Sequence, residues 1–332
     1  MPDLAIEIDG IPAPTPAAIT ALRADLRPYT RVTPLLVRDD IAPLAGITLE
    51  FKFELLQASG TFKARGAFSN MLALDAAQRA RGVTGISAGN HAVAVAYAAM
   101  KLGIPAKVVM LKTANSARVA LCHGFGAEVL MAEDGATGFA MVREIEADEG
   151  RYFVHPFNGY RTILGTATLG AEWAEQSAGL DVLILPIGGG GLAAGVATAF
   201  KQALPNLTIY GVEPQGATGM AQSFATGGPI KMGAMTGIAD SLMAPHTEAY
   251  SYGLCRANID DLVTVSDDEL RAAMRVLFAE LKLATEPACA AATAAAMFAL
   301  RERIAGKRVG VLLCGTNTDP ATFMRHLTHG QG

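Results

Sequence analysis

Short apolar segments alternate with longer amphipathic segments along most of the chain. Each short segment is bounded by glycine, proline or charge, which is typical of buried β-strands. We predict strands at residues 47–54, 83–87, 107–111, 127–131, 181–187, 207–213, 261–265 and 308–314. We predict helices at residues 62–74, 91–102, 115–124, 136–149, 161–177, 192–203, 267–283 and 288–304. This alternation predicts an α/β fold whose mostly parallel sheets are flanked by helices.

The helix predicted from residue 267 has the clearest start and the clearest apolar face. Ser266 and Glu269 have the spacing of a capping box, in which each side chain accepts a hydrogen bond from the other residue's amide. Apolar residues then recur at helical spacing, at Leu270, Ala273, Met274, Leu277, Phe278 and Leu281. We expect this face to pack against a core.

Composition and charge exclude several classes of protein. The 332 residues are 51% hydrophobic and 17% charged, which suits two domains with substantial cores. A net charge of -4, without a basic stripe, argues against a nucleic-acid partner. The four cysteines lie far apart and form no CxxC pair, which predicts cytoplasmic thiols and neither disulfides nor a zinc site.

Neither a secretion signal nor a membrane span is predicted. The start Met1-Pro2-Asp3-Leu4 lacks a basic segment followed by an apolar run. The longest apolar stretch, residues 182–200, is interrupted by Pro186 and a run of glycines. It therefore predicts a strand, a turn and a helix.

Lys63 is the first candidate for chemistry. It follows Ser59-Gly60-Thr61-Phe62, a turn of small residues that leads into a predicted helix. Neighbouring segments hold a lysine at such a place and partly remove it from water. Desolvation lowers a lysine pKa, and the neutral amine can form a Schiff base with an aldehyde cofactor, above all pyridoxal phosphate (PLP). A solvated surface lysine is the ordinary alternative.

The loop after the strand at 83–87 is a second candidate, because ligands bind at the carboxyl ends of parallel strands. It reads Ser87-Ala88-Gly89-Asn90-His91 and opens a predicted helix. Free amides at a helix start suit a carboxylate or phosphate. The alternative is an ordinary helix cap made by Ser87 or Asn90, with His91 packed instead of acting as a base.

Four consecutive glycines follow the strand at 181–187. Gly188 to Gly191 expose successive backbone amides between a strand and a helix, which predicts a phosphate cradle. Gly188-x-Gly190-x-x-Ala193 also fits a dinucleotide fingerprint, with Glu213 at the end of the next strand. A nucleotide-binding interpretation therefore competes. A third loop begins at Cys314, which could face a cofactor ring or be a buried small hydrophobe.

In this order, these segments resemble the fold-type II PLP-dependent enzymes, specifically the serine/threonine dehydratase and serine racemase family. The similarity covers residues 30–320 and rests on Thr61–Ala67, Ser87–His91, Val154–Phe157, Gly188–Leu192, Gly211–Pro214 and Glu286–Pro287. It implies a two-domain, tryptophan synthase β-like fold. Residues 52–155 would form the small domain, and residues 1–51 with 156–332 the large PLP-binding domain.

The resemblance also implies roles for single residues. Lys63 would hold PLP covalently, and Phe62 would pack beside the ring. Asn90 would bond the ring hydroxyl, and Cys314 would face the ring nitrogen. The phosphate would bind the backbone amides of Gly188, Gly189, Gly190, Gly191 and Leu192. The substrate would lie against Ser87, Ala88, Gly89, His91 and Asp240, the last from the segment Thr236–Asp240.

Three positions depart from the family pattern. Cys314 replaces a serine, and a neutral thiol does not protonate the ring, which favours elimination over reactions that need a long-lived carbanion. Gly219 stands where a cation-binding carboxylate is expected, so no metal is expected, and Glu213 and Ala217 are weak candidates for one. Ala88 replaces the serine that donates a proton in the racemases, which favours a dehydratase.

The implied activity is β-elimination from a β-hydroxy amino acid such as L-threonine or L-serine, giving a 2-oxo acid and ammonia, with Lys63 as general base. 3-Hydroxyaspartate and phenylserine share the reacting atoms. The alternatives are a serine or aspartate racemase, another PLP β-lyase and, more distantly, a nicotinamide-dependent oxidoreductase. The family further implies a homodimer in amino acid catabolism with a small-molecule substrate. The composition and charge predict a cytoplasmic location and neither nucleic acid nor membrane as partner.

Overall fold

The computed structural model describes residues 6–330. The residues behind the signal-peptide prediction, Met1 to Leu4, lie outside this range, as do both outer ends of the predicted large domain. The strands are β1 (Glu7–Ile8), β2 (Ile11–Pro12), β3 (Leu35–Arg38), β4 (Thr48–Lys52), β5 (Val83–Ser87), β6 (Ala106–Leu111), β7 (Glu128–Ala132), β8 (Tyr152–Phe153), β9 (Val182–Pro186), β10 (Thr208–Pro214), β11 (Asp261–Val265) and β12 (Arg308–Leu312).

Helices cover most of the remaining chain. The α-helices are α1 (Pro16–Leu26), α2 (Lys63–Leu72), α3 (Ala76–Arg81), α4 (Asn90–Leu102), α5 (Ser116–Gly124), α6 (Gly135–Glu149), α7 (Tyr160–Gln176), α8 (Gly191–Ala203), α9 (Gly219–Thr226), α10 (Ala249–Asn258), α11 (Asp267–Leu281), α12 (Pro287–Met297) and α13 (Pro320–Thr328). Short 3₁₀ helices lie at Ala42–Leu44, Glu54–Leu56, Ala58–Gly60 and Asp240–Leu242. No helix among residues 6–330 is both long and apolar enough to cross a membrane.

Each predicted strand and helix is present, although one predicted helix is too long. The helix predicted over residues 288–304 ends at Met297, because Phe298 leaves helical geometry with φ -122° and ψ -86°. Turns follow, in which Leu300 and Ile304 are buried in the core. Packing of these two side chains overrides the helix propensity of the segment.

The capping box and buried face predicted for α11 are confirmed, with one exception. Ser266 accepts from the Glu269 amide, and Glu269 accepts from the Ser266 amide. Leu270 and Met274 are fully buried. Phe278 is 46% exposed, and its ring lies 5.6 Å from the ring of Phe323 in α13. A second helix therefore partly covers the end of this face.

The larger sheet has six strands in the order β11-β10-β9-β12-β4-β3. All of its neighbours pair in parallel except β3 and β4, which are antiparallel. Its central strand β9 is buried along its whole length, as expected for a strand covered on both faces. A core that includes Trp173, Phe200 and Phe51 surrounds this sheet.

The smaller sheet has four parallel strands in the order β7-β6-β5-β8. These strands lie within the predicted small domain, residues 52–155. Its core cluster also includes Ile19, Leu22 and Leu26 of α1, which the prediction placed with the large domain. The division of the chain into domains stays a prediction.

A buried network of charges fixes the start of α2 against α7. Arg65 Nε lies 2.6 Å from Glu54 Oε1, and Arg65 Nη2 lies 3.0 Å from Glu172 Oε2. Lys52 Nζ lies 2.6 Å from Glu172 Oε1 and donates to the Thr33 carbonyl at 2.8 Å. Two cations thus neutralise two carboxylates away from water, as buried charges require. The network begins two residues after Lys63.

Candidate active site

A cleft of about 470 Å³ is lined by residues that follow strands of both sheets. Every residue predicted to bind cofactor or substrate lines it, namely Phe62, Lys63, Ser87, Ala88, Gly89, Asn90, His91, Gly188, Gly189, Gly190, Gly191, Leu192, Asp240 and Cys314. Parallel strands that end at one edge bring these distant segments together.

Backbone contacts at the end of β12 hold Lys63 in the cleft. Lys63 is the first residue of α2, and Thr61 forms an antiparallel bridge with Gly315. The Phe62 amide donates to the Cys314 carbonyl at 3.2 Å. Lys63 Nζ donates to the Pro156 carbonyl at 2.5 Å and lies 5.0 Å from the centroid of the Phe62 ring. The amine therefore has a fixed position.

Burial lowers the pKa of Lys63 to about 8, and only Cys314 and Glu286 oppose this shift. At neutral pH roughly a tenth of such amines are unprotonated, which is orders of magnitude more than for a solvated lysine. A neutral amine is both a nucleophile and a base. Lys63 thus has the protonation behaviour that covalent chemistry needs.

The glycine loop between β9 and α8 has the shape of an anion cradle. Gly190 has a φ of +89°, a conformation that residues with side chains rarely adopt. A Cβ at Gly189 would lie 2.2 Å from Cγ of the Phe157 ring, and one at Gly191 would lie 2.3 Å from the Phe157 carbonyl oxygen. Among the described residues, none accepts a hydrogen bond from the amides of Gly188 to Leu192. These amides at a helix start are free to bind a phosphate.

Ser87 organises the loop that opens α4. Its hydroxyl oxygen accepts from the Gly89 amide at 2.8 Å and from the His91 amide at 3.3 Å. The side chain thus caps the helix, as the simpler interpretation of the motif holds, and its hydroxyl proton remains available as a donor to the cleft. Ala88 lines the cleft beside it without a polar side-chain atom.

A charge network that the sequence did not indicate lies behind this loop. Arg118 of α5 is buried, and its Nη1 lies 2.6 Å from Asp240 while Nη2 lies 3.2 Å from Glu286. A Cβ at Gly89 would lie 2.1 Å from Cδ of Arg118, so only glycine fits there. Asn90 Nδ2 donates to Glu286 at 2.6 Å. The network connects a helix of the small sheet to two segments beside the large sheet.

Glu286 is an acidic group in contact with Asn90, one of the predicted ring-binding residues. It is buried, and burial raises its pKa despite the guanidinium of Arg118 beside it. A Cβ at Gly315 would lie 2.7 Å from Glu286 Oε1. Glu286-Pro287 is one of the segments that resemble the family, and this resemblance was the one sequence signal that could have identified Glu286. Arg118 carries no comparable signal.

His91 is a packed residue in this structure. Its Nε2 lies 2.7 Å from the Val154 carbonyl oxygen, which can only accept, so Nε2 carries the proton. Burial lowers the pKa of His91 to about 3, and the positive charge of Lys63 adds to this effect. The imidazole therefore stays neutral at physiological pH and is no source of a transferable proton.

Cys314 lies at the end of β12, almost fully buried. A hydrogen bond with Cys289 and burial raise the pKa of the Cys314 thiol well above its usual value. The thiol is therefore neutral. All four cysteines are buried free thiols.

Glu213 lies outside the cleft, and its carboxylate is already hydrogen-bonded to a helix start. Its two carboxylate oxygens accept from the amides of Met220 and Ala221, at 2.7 and 2.8 Å, which caps α9. Burial raises its pKa to about 7. The dinucleotide interpretation requires Glu213 to face a ribose, and Glu213 does not lie in a position to do so. Ala217 beside it is buried and apolar.

His155, His246 and Glu248 are close enough together to be considered as metal ligands. However, Nδ1 of His155 accepts from the amides of Phe157 and Asn158, at 3.3 and 3.0 Å. Burial, together with nearby charged groups, lowers the pKa of His155 well below its usual value, so the neutral ring carries its proton on Nε2, the atom that faces Glu248. These bonds favour a hydrogen-bonded cluster over a metal site.

Part of the cleft lining is apolar, which the sequence did not indicate. Half-buried apolar side chains line it, namely Leu111, Phe139, Met232, Met235, Met243 and Pro245. Among the described residues that line the cleft, Lys63 is the sole cation. The apolar residues come from separate segments, so neither spacing nor motif marks them.

Comparisons with known proteins agree with this geometry. A family model described as pyridoxal-phosphate dependent enzyme matches residues 26–315. Phenylserine dehydratase from Ralstonia pickettii is 66% identical over 324 residues, 98% of this chain and 99% of that protein. The beta-hydroxyaspartate dehydratase of Paracoccus denitrificans is 35% identical over 92% of this chain and 97% of that protein. The structure of maize serine racemase has a TM-score of 0.87 at 33% identity, and the match covers 95% of this chain and 98% of that chain.

The residues of the cleft fit PLP independently of these matches. This cofactor needs a lysine with a lowered pKa and a cradle of free amides for its phosphate. The cleft has both, and close contacts at the glycines leave no room for side chains in the cradle. The chain therefore belongs to the fold-type II pyridoxal-phosphate dependent enzymes, among the serine/threonine dehydratases and serine racemases, and PLP is its cofactor.

Proposed function

We propose that this protein dehydrates and deaminates phenylserine, a β-hydroxy amino acid with an aromatic side chain, to phenylpyruvate and ammonia. The observation that carries the proposal is the apolar part of the lining in the same cleft that holds Lys63. The 66% identity to a phenylserine dehydratase supports it. Threonine and serine, which the resemblance puts first, share the reacting atoms but leave this apolar surface uncovered.

The predicted residues would hold the cofactor and the substrate as follows. The amides of Gly188 to Leu192 would bind the phosphate, while Phe62, Asn90 and Cys314 would surround the ring. The hydroxyl proton of Ser87 and the amides of the same loop would bind the substrate carboxylate. Bound PLP would withdraw electrons from the amino acid and make its Cα proton acidic.

Lys63 would act as the general base. Its Nζ, held in one place and partly neutral near pH 7, would take the Cα proton without a diffusional encounter. The β-hydroxyl would then leave as water, taking up the proton that Lys63 removed from Cα. The enamine that is released becomes the 2-oxo acid and ammonia by reaction with water.

Two residues support elimination over racemisation. Inversion at Cα needs a second proton donor on the face opposite Lys63. Ala88 has no exchangeable proton, and the Nε2 proton of His91 is bonded to the Val154 carbonyl. With a pKa of about 3, His91 has no further proton to donate near pH 7.

Among the described residues that line the cleft, no cation other than Lys63 is present to pair with a second substrate carboxylate, which favours phenylserine over 3-hydroxyaspartate as the substrate. A second carboxylate would need a positively charged partner in the cleft, because burying an unpaired charge is costly. Arg118 lies behind Gly89 and is already paired with Asp240 and Glu286. The cleft therefore suits an uncharged side chain.

An ammonia-release screen tests the proposal. The purified protein with PLP is offered phenylserine, threonine, serine and 3-hydroxyaspartate, each in all stereoisomers. We expect kcat/KM for the best phenylserine isomer to exceed that for threonine by at least roughly 10-fold, because burial of a phenyl ring is favourable. No ammonia from any phenylserine isomer, or a preference for 3-hydroxyaspartate, would contradict the proposal.

We also propose the domain division at residues 52 and 155, a cytoplasmic location and a homodimer. The resemblance supports all three. Exposed apolar side chains on and beside the edge strand β3 support the homodimer, since Val32 is 74% exposed and Val37 is 44% exposed.

A further inference from the structure

We propose that Phe139, together with a loop that carries three methionines, forms a pocket for the aryl group of the substrate and sets the preference of the enzyme for aromatic side chains. This inference rests on the proposed function and goes further by naming the residues that select the substrate. The loop comprises residues 230–247 and is called the methionine loop below.

The methionine loop is closed at its base. Lys231 and His246 form an antiparallel bridge. The Met232 amide donates to the Pro245 carbonyl at 2.8 Å, and the Thr247 amide donates to the Ile230 carbonyl at 2.9 Å. The base is therefore fixed, and the span between these bonds contributes Met232, Met235 and Met243 to the cleft. Methionine side chains adapt to an aromatic ring and make favourable sulfur contacts with it.

The start of α6 forms the opposite wall. Gly135 and Phe139 are one helical turn apart, so they share a face. A Cβ at Gly135 would lie 3.5 Å from Cγ of Pro245, which shows that this face abuts the base of the methionine loop. Phe139 is half-buried and lines the cleft one turn further along.

A cluster of rings holds Phe139 from behind. Its centroid lies 4.9 Å from the His246 ring, at an interplanar angle of 63°, and 6.2 Å from the Phe153 ring, at 81°. His246 Nε2 in turn lies 3.1 Å from Glu248. These edge-to-face contacts limit the orientations of the Phe139 ring. A substrate phenyl group would add one more ring to an arrangement that already exists.

The charges of these two segments also favour a neutral aromatic group. Asp134, which precedes α6, and Asp240 of the methionine loop are their acidic residues that line the cleft, and Asp240 is paired with Arg118. The Asp134 carboxylate accepts from the Thr137 amide at 2.8 Å, which caps α6 and lowers the pKa of Asp134. Among the described residues of α6 and the methionine loop that line the cleft, none is a cation that could receive an acidic side chain.

The test compares two substrates in one variant. In Phe139→Ala, we expect the ratio of kcat/KM for phenylserine to kcat/KM for threonine to fall roughly 10- to 100-fold, chiefly through KM for phenylserine, because the lost contact involves only the aryl group. Phe139→Leu keeps apolar volume without a ring and should lose part of this ratio. Phe278→Ala removes an exposed phenylalanine outside the cleft and serves as the matched control, with an unchanged ratio.

The outcomes separate this inference from the proposed function. If the unmodified enzyme releases no ammonia from phenylserine, the proposed function is wrong and this inference falls with it. If the unmodified enzyme prefers phenylserine but Phe139→Ala loses activity on both substrates by the same factor, only the aryl pocket is wrong. If Phe139→Ala fails to fold, Phe139→Leu decides, and a ratio equal to that of the unmodified enzyme overturns the inference.

Discussion

Replacement of Lys63 by alanine is expected to lower the rate of ammonia release at least about 1,000-fold. The variant loses both the amine that would hold the cofactor and the base that would remove the Cα proton, and a general base alone contributes about 10²- to 10⁴-fold. The measurement is kcat with phenylserine at saturating PLP. Retention of even a tenth of the activity would show that another group removes the proton.

Two further lysine variants test whether the loss of activity is specific to the neutral amine of Lys63. Lys63→Arg keeps the positive charge but has no neutral amine near pH 7, so we expect it to be as inactive as Lys63→Ala. Lys101→Ala removes an exposed lysine from the last turn of α4 and should retain full activity. A common loss in all three variants would instead indicate a general effect on folding.

Replacement of Arg65 by alanine is expected to lower the free energy of unfolding by about 3–5 kcal/mol. Glu54 and Glu172, both buried, would lose a guanidinium that lies 2.6 and 3.0 Å away. Each carboxylate would then have to be protonated or partly exposed to water. Denaturant unfolding of the protein measures the change.

An exposed ion pair provides the control for Arg65. Arg143 and Glu146 are also an arginine and a glutamate in contact, but their side chains are 61% and 40% exposed. Arg143→Ala should leave the unfolding midpoint almost unchanged, because water already screens this pair. Equal stability of Arg65→Ala and Arg143→Ala would show that the buried network does not stabilise the fold.

Local features of the site could be predicted because each lies in one short segment. The four glycines are consecutive, so their amides form a cradle wherever the flanking strand and helix place them. Lys63 follows a turn of small residues that the sequence shows, although contacts with the end of β12 and with Pro156 fix its position. The alternation of strands and helices then predicts that these loops meet at one edge of parallel sheets.

Features built from distant residues could not be predicted. Arg118 reaches Asp240 across 122 positions and Glu286 across 168 positions. The apolar part of the cleft lining combines Phe139 with methionines about a hundred residues later. Half-buried apolar side chains in a loop look the same in a sequence whether they meet a core or a ligand.

The fold diverged from prediction where packing outweighs local preference. Residues 298–304 have helical composition, yet the chain leaves the helix at Phe298 and buries Leu300 and Ile304 separately. The prediction also missed several elements, including the longer helices α1 and α10. Among the missed elements, the edge strand β3 and the six-residue helix α3 have sequences that carry little of the periodicity on which the prediction depends.

A single lysine, Lys63, is proposed to hold the cofactor. The direct measurement is to treat the purified protein with PLP and then with sodium borohydride, digest it, and locate the pyridoxyl group by mass spectrometry. We expect a single modified peptide that contains Lys63, with the modification on that side chain. Modification of a different lysine, or no modification in protein that still releases ammonia, would contradict it.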